Sequence, residues 1–202
     1  MMVHSFVAVA LLAGLGAAKS LSVESHDDIV ASAKTIAFDL MTLYKGNETG
    51  GTPGILPGPP PAGDYYWWEG ASFLSTYIDY WHVTGDETYN DVVTQGLLHQ
   101  RGPNDAYMPP NITAQLSNDD QCSWGLASMI AAENQFPDPP KGEASWAAVA
   151  ANVFDTIALR FDMEAKNGTC GGGLRWQVPM SNVGYDYKNS EFDYQNPELK
   201  SC

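Results

Sequence analysis

Apolar residues recur at helical spacing along most of the chain, and no segment alternates as a half-buried strand would. Over Asp27 to Tyr44, Ile29, Ala33, Ile36, Ala37, Leu40, Met41 and Leu43 share one face, with Ser25 or Asp27 as a cap, which predicts a first helix. Gly46 to Gly63 is crowded with Gly and Pro and must be a loop. A second helix is expected from Glu69 to Thr84, carrying Phe73, Leu74, Tyr77, Ile78 and Trp81 and ending at Gly85. A third follows the cap-like Asp86 and covers Tyr89 to Gln100, before a Pro-bearing loop from Gly102 to Pro110. The fourth begins at Asn118, Asp119 and Asp120 and runs on through Leu126, Met129, Ile130 and Ala132; the fifth covers Ser145 to Phe161. Helices of similar length joined by loops that hold the unusual residues point to helical hairpins of a toroid or solenoid, each needing neighbours to bury its apolar face.

The extreme N-terminus reads differently. A polar start at Met1 to His4, an apolar run from Phe6 to Leu15 and the small residues Gly16, Ala17 and Ala18 form a secretory signal too short to span a bilayer comfortably. This places residues 1–20 in a signal peptide, with the mature chain starting near Lys19 or Leu21. Asn-x-Thr acceptors at Asn47, Asn111 and Asn167 agree with passage through a glycosylating compartment. The net charge of −14 argues against nucleic acid and anionic membrane surfaces as partners, since both require a basic face. Six Trp and ten Tyr in an acidic secreted chain suit a neutral polysaccharide, although acidity also serves solubility alone. Cys122, Cys170 and Cys202 cannot all pair within one chain, and neither they nor His4, His26, His82 and His99 show metal-ligand spacing, so neither zinc nor another cofactor is expected.

Three segments carry candidate chemistry. Ser117-Asn118-Asp119-Asp120-Gln121 sets adjacent carboxylates at a helix start, where acidic residues are ordinary caps favoured by the helix dipole. The same pair could serve catalysis. Neighbouring α-carbons lie about 3.8 Å apart, so diverging side chains can hold two carboxyls at the roughly 5 Å a retaining glycosidase uses, one as nucleophile and one as acid. Tyr65-Tyr66-Trp67-Trp68-Glu69 is the second segment: four successive aromatics cannot all face inward, so at least one should line a cleft with Glu69 available for hydroxyls. The third is Cys170-Gly171-Gly172-Gly173-Leu174-Arg175-Trp176-Gln177 with Gly184 to Ser190. Its glycines lack the Lys-Ser/Thr ending of a phosphate loop and instead let the backbone pass close to another element or a ligand. Asp79, Asp186 and Lys188 could contact sugar or simply be solvated charges.

Taken together, YYWWEGASF at Tyr65 to Phe73, SNDDQCSWG at Ser117 to Gly125, TCGGGLRWQ at Thr169 to Gln177 and GYDYKNS at Gly184 to Ser190 resemble glycoside hydrolase family 76, the mannan endo-1,6-α-mannosidases, especially its fungal cell-wall members. The resemblance implies an all-α (α/α)6 toroid, with residues 21–190 forming the N-terminal part of the catalytic domain, about half of the toroid, and 191–202 a divergent polar tail. It implies a retaining reaction with Asp119 as nucleophile and Asp120 as acid/base, by hydrolysis or transglycosylation. Trp67, Trp68, Glu69, Arg175, Trp176, Gln177 and Tyr187 are the expected substrate contacts. The implied partner is α-1,6-linked mannan or a mannose-bearing glycolipid or glycoprotein at the cell wall or outer membrane face. Fungal members often carry a C-terminal lipid-anchor signal, which the polar tail does not match. Cys122 stands where the family pattern usually has Gly. A half toroid is expected to leave apolar faces uncovered, and a non-catalytic sugar-binding protein or a structural wall glycoprotein are the alternative readings.

Overall fold

The computed structural model describes residues 21–166, 173–185 and 187–188, with 162–166 as backbone alone. It is all-helical, without a strand among the described residues: α1 (His26–Met41), α2 (Trp67–Thr84), α3 (Asn90–Gln100), a 3-10 turn at Pro103–Asp105, a single turn α4 (Pro110–Thr113), α5 (Asn118–Glu133) and α6 (Trp146–Lys166). The signal segment, Asn167, Asp186, Cys170 and Cys202 lie outside the described residues.

Local chemistry sets most boundaries. Ser25 caps α1 by accepting the Asp28 N–H at 3.2 Å, and α1 ends three residues earlier than its apolar pattern suggested, at Met41. Gly85 closes α2 in the left-handed region at φ 68°, its N–H reaching the Trp81 carbonyl at 2.7 Å. Asp86 does not cap α3 directly. Its carboxylate instead accepts from the Thr88 N–H and hydroxyl and from the Tyr80 hydroxyl, which stabilises the turn before Asn90 and holds its proton affinity down to about 2.

α2 lies centrally, packed against α1, α3 and α5, and α5 in turn packs against α6. The core it builds is aromatic. Tyr44 stacks on Phe73, which meets Tyr77 at a tilt, while Trp124 lies between Trp67 and Tyr107 with ring centroids 5.1 and 5.2 Å away. Buried hydroxyls are satisfied: Tyr77 donates to the Ala37 carbonyl and Tyr44 accepts from the Gly54 N–H. The Gly- and Pro-rich loop is thereby pinned to the core. Gly70 permits that approach, because a Cβ there would fall 2.1 Å from the Gly54 carbonyl oxygen.

One helix turns a different face inward from the one its apolar residues mark, and another leaves part of its apolar face uncovered. On α5, Leu126 and Met129 are exposed, whereas Trp124, Gly125, Ala127, Ser128 and Ala131 are buried. Small residues win the inner position because α2 and α6 approach from both sides; a Cβ on Gly125 would come within 2.6 Å of Val153. On α1, Ile29 and Ile36 stay exposed, and a groove of about 310 Å3 runs between α1 and α2, lined by Ile36, Leu40 and Val83 among others. The outer face of α6 likewise exposes Phe154, Leu159 and Phe161. The helices at the two ends of the arrangement thus carry uncovered apolar surface.

Candidate active site

The site is built at the N-terminus of α5. Ser117 is its cap, accepting the Asp120 N–H at 3.3 Å, so Asp119 and Asp120 fall in the first turn, where unpaired N–H groups and the helix dipole favour negative charge. The Oδ1 of Asp119 accepts the same N–H at 3.1 Å. Both carboxyl groups are half-buried, neither sealed in nor fully hydrated.

Their environments differ. Burial pushes the Asp120 carboxyl above the usual carboxylate range, partly opposed by its hydrogen bond with Ser117 and reinforced by the charge of Asp119 beside it. The arrangement therefore favours the protonated form of Asp120, the property a group that must supply a proton requires. Cys122, one turn on, is half-buried and in no disulfide among the described residues, and burial and the charge of Asp119 raise the proton affinity of its thiol. A thiol so protonated is a poor nucleophile.

The raised proton affinity of Asp120 has a consequence for stability. A carboxyl that binds its proton more tightly in the folded state contributes nothing unfavourable below its unfolded range, and that advantage is lost as pH rises through the folded value. Asp120→Asn, neutral at every pH, is expected to raise the melting temperature at pH 7 and leave it unchanged at pH 3. A loss of stability at pH 7 would mean that the helix dipole's preference for a charge there outweighs burial.

The segment after the glycines docks against this helix start. Gly173 adopts φ 90°, and beyond it the chain pairs antiparallel with residues 116–118: Ser117 bridges Gln177, the Asn118 N–H reaches the Trp176 carbonyl at 2.9 Å, and the Val178 N–H reaches the Leu116 carbonyl at 2.9 Å. A second bridge joins Arg175 and Lys188, and the Trp176 N–H donates to the Tyr187 carbonyl at 2.6 Å. Trp176 and Tyr187 meet edge to face, centroids 6.2 Å apart, with both rings exposed. An aromatic corner thus stands one backbone hydrogen bond away from the residue preceding Asp119.

The other expected contacts divide by what their polar atoms do. Trp68 presents ring surface to solvent. Trp67 leans on Trp124 and donates its indole N–H to Gln100 at 2.8 Å, so it forms the wall of the core beneath. Glu69 accepts the Tyr66 N–H at 2.6 Å and closes the start of α2. Gln177 is buried and accepts from Asn182, and the Arg175 guanidinium lies over the Tyr185 ring at 4.9 Å. Asp79 accepts from Asn134 at 3.1 Å. The acceptor asparagines Asn47 and Asn111 are exposed. Among the described residues no cluster of three His, Cys, Asp or Glu could hold a metal ion, and no helix is long and apolar enough to cross a membrane.

Sequence reasoning placed Asn118 and Gln121 within the aspartate motif without giving them a role and did not name Arg160, which hydrogen-bonds both at the start of α5. Gln121 is fully buried, donating to the Ala106 carbonyl at 2.7 Å and to Thr156 at 3.1 Å. Arg160 had one signal: a cation inside an otherwise apolar stretch of α6, between Leu159 and Phe161.

Residues 28–192 match the family model for glycosyl hydrolase family 76. The chain is 44% identical over 193 residues to a mannan endo-1,6-alpha-mannosidase DCW1 of Eremothecium gossypii, covering 94% of this chain and 41% of the relative. It is 40% identical to the Saccharomyces cerevisiae protein of the same name, covering 86% of this chain and 36% of that one. A crystal structure of Dfg5 from Chaetomium thermophilum in complex with glucosamine superposes with a TM-score of 0.80 at 53% identity, over 85% of this chain and 42% of the other. The chain therefore spans well under half the length of these relatives, and its helical arc fits part of a toroid.

Proposed function

The chain belongs to glycosyl hydrolase family 76, and from that premise we propose that it acts on α-1,6-linked mannan by a retaining mechanism, with Asp119 as nucleophile and Asp120 as acid/base. The observation that carries this reading is the unequal pair at the start of α5: a carboxyl whose burial favours its protonated form, directly beside one in contact with the helix's positive pole. Asp120 would protonate the departing glycosidic oxygen while an Asp119 oxygen bonds the anomeric carbon. Asp120, now a carboxylate, would then take the proton of the attacking acceptor as the glycosyl–Asp119 bond breaks. With water as acceptor the outcome is hydrolysis; with a sugar hydroxyl it is transfer.

Trp68, Trp176 and Tyr187 offer exposed ring faces against which the apolar faces of sugar rings can lie, and Trp67, Glu69, Arg175 and Gln177 would shape the cleft from behind. The curated relatives' names specify mannan endo-1,6-alpha-mannosidases, so the substrate proposed is α-1,6-mannan, free or on a mannose-bearing glycolipid or glycoprotein; the Dfg5 structure, solved with glucosamine, supports an amino-sugar or sugar ligand for the same fold. The N-terminal signal pattern and the relatives' names support action outside the cell, at the wall or outer membrane face.

Proton NMR of an α-1,6-mannooligosaccharide incubated with the chain tests the mechanism. The first product signal is expected to be the α-anomer, before mutarotation. A β-anomer would sink the retaining assignment, and binding without turnover would leave a carbohydrate-binding protein in its place.

A further inference from the structure

Arg160 reaches from α6 to the start of α5, donating through Nε to the Asn118 Oδ1 at 2.6 Å and through Nη2 to the Gln121 Oε1. Asn118 is itself buried, and its Nδ2 donates to the Arg175 carbonyl at 2.7 Å. The polarity of this relay admits one arrangement. A guanidinium can only donate, so the amide oxygen of Asn118 must face it; a backbone carbonyl can only accept, so the amide nitrogen must face Arg175. Asn118 also donates its backbone N–H to the Trp176 carbonyl, and Asp119 follows it directly in the chain.

We infer that Arg160 is a positioning residue that sets the register between the Asp119–Asp120 pair and the Trp176–Tyr187 corner, acting through the side chain of Asn118. Without the guanidinium, the Asn118 amide keeps one side-chain hydrogen bond among the described residues, to the Arg175 carbonyl, and with its oxygen unheld that donor can rotate away. Between the 175–178 segment and residues 116–118, the backbone pairing is then what remains among the described hydrogen bonds. Gln121 has two further partners from its nitrogen, in Ala106 and Thr156, so it stays in place and the loosening falls on Asn118. For catalysis the consequence rests on the enzymatic reading above: a sugar still lies on the aromatic corner, but its scissile bond no longer meets the carboxyls. Displacement by about 1 Å at a reacting centre costs about a hundred-fold in rate.

The test compares Arg160→Met, Arg160→Lys and Asn118→Ala in the full chain by amide hydrogen exchange and by kinetics on an α-1,6-mannooligosaccharide. In Arg160→Met the amides of Asn118 and Val178 are expected to exchange about ten-fold faster or more, with those of α2 unchanged. The kcat is expected to drop about ten- to a hundred-fold with KM moved less than about three-fold. Lys offers a point charge that meets one of the two amide oxygens and should restore only part of the loss. Arg160→Met combined with Asn118→Ala should lose no more than either alone, because both break one relay. Exchange that rises equally in α2, or that does not change at residues 118 and 178, would overturn the proposal. A wild-type chain without turnover whose exchange still responds locally to Arg160→Met would retain the link and sink the enzymatic reading.

Discussion

Asp119→Asn is expected to abolish cleavage of α-1,6-mannan, lowering kcat by about a thousand-fold or more, because the nucleophile proposed above becomes an amide that cannot form the covalent intermediate. Affinity for the sugar, read by tryptophan fluorescence, should change little, since Trp68, Trp176 and Tyr187 supply the exposed surface. Asp120→Asn should behave differently. Loss of the acid costs about 10²–10⁴-fold on a natural mannoside, but far less on an aryl α-mannoside, whose leaving group needs no proton. The activity of the unaltered chain should also fall as pH rises through the elevated range of Asp120, because the acid must begin protonated. If the two variants responded identically to the leaving group, the separate roles assigned to the two aspartates would fail.

The second large effect is on stability. Trp124 is fully buried between Trp67 and Tyr107, and its ring edge lies where Cβ atoms on Gly54 or Gly70 would crowd it at 3.2 and 3.3 Å. The neighbouring backbone has closed around the indole and cannot collapse into its place. Trp124→Ala should cost about 3–5 kcal/mol, a large part of the roughly 5–15 kcal/mol typical of a folded domain, and lower the melting temperature by about 10 °C or more. Trp124→Phe should cost less than half as much, because the indole N–H finds no acceptor among the described residues and its removal relieves an unsatisfied donor. Chemical denaturation of the three proteins side by side checks this; an Ala variant within about 1 kcal/mol of the parent would mean the core repacks.

Which parts of this were legible beforehand follows from the range of the interactions. Ser25, Gly85 and Ser117 act on their own or adjacent turns, and the helices they bound fall within a few residues of where pattern and capping chemistry put them. Burial was read less well. The exposed Leu126 and Met129 of α5 mark an apolar face, but the face that packs depends on which neighbours approach and how closely; on α1, Ala37 and Leu40 pack while Ile29 and Ile36 of the same apolar set stay exposed. Close approach from two sides selects Gly125, Ala127 and Ser128 on α5, residues that hydrophobic periodicity does not count.

The same division holds at the site. Adjacent carboxylates at a helix start, the aromatic run and the glycine-rich segment stood in the sequence, because each is a local pattern whose chemistry is carried by its own residues. Their order along the chain also sufficed for the family resemblance. What only the tertiary structure decided is how these patterns meet: that residues 175–178 pair with 116–118, that Glu69 closes its own helix while Trp67 backs the core, and that Arg160 reaches Asn118 across 42 positions. Such contacts join groups distant in sequence through directional hydrogen bonds, and no local propensity encodes the partner at the far end.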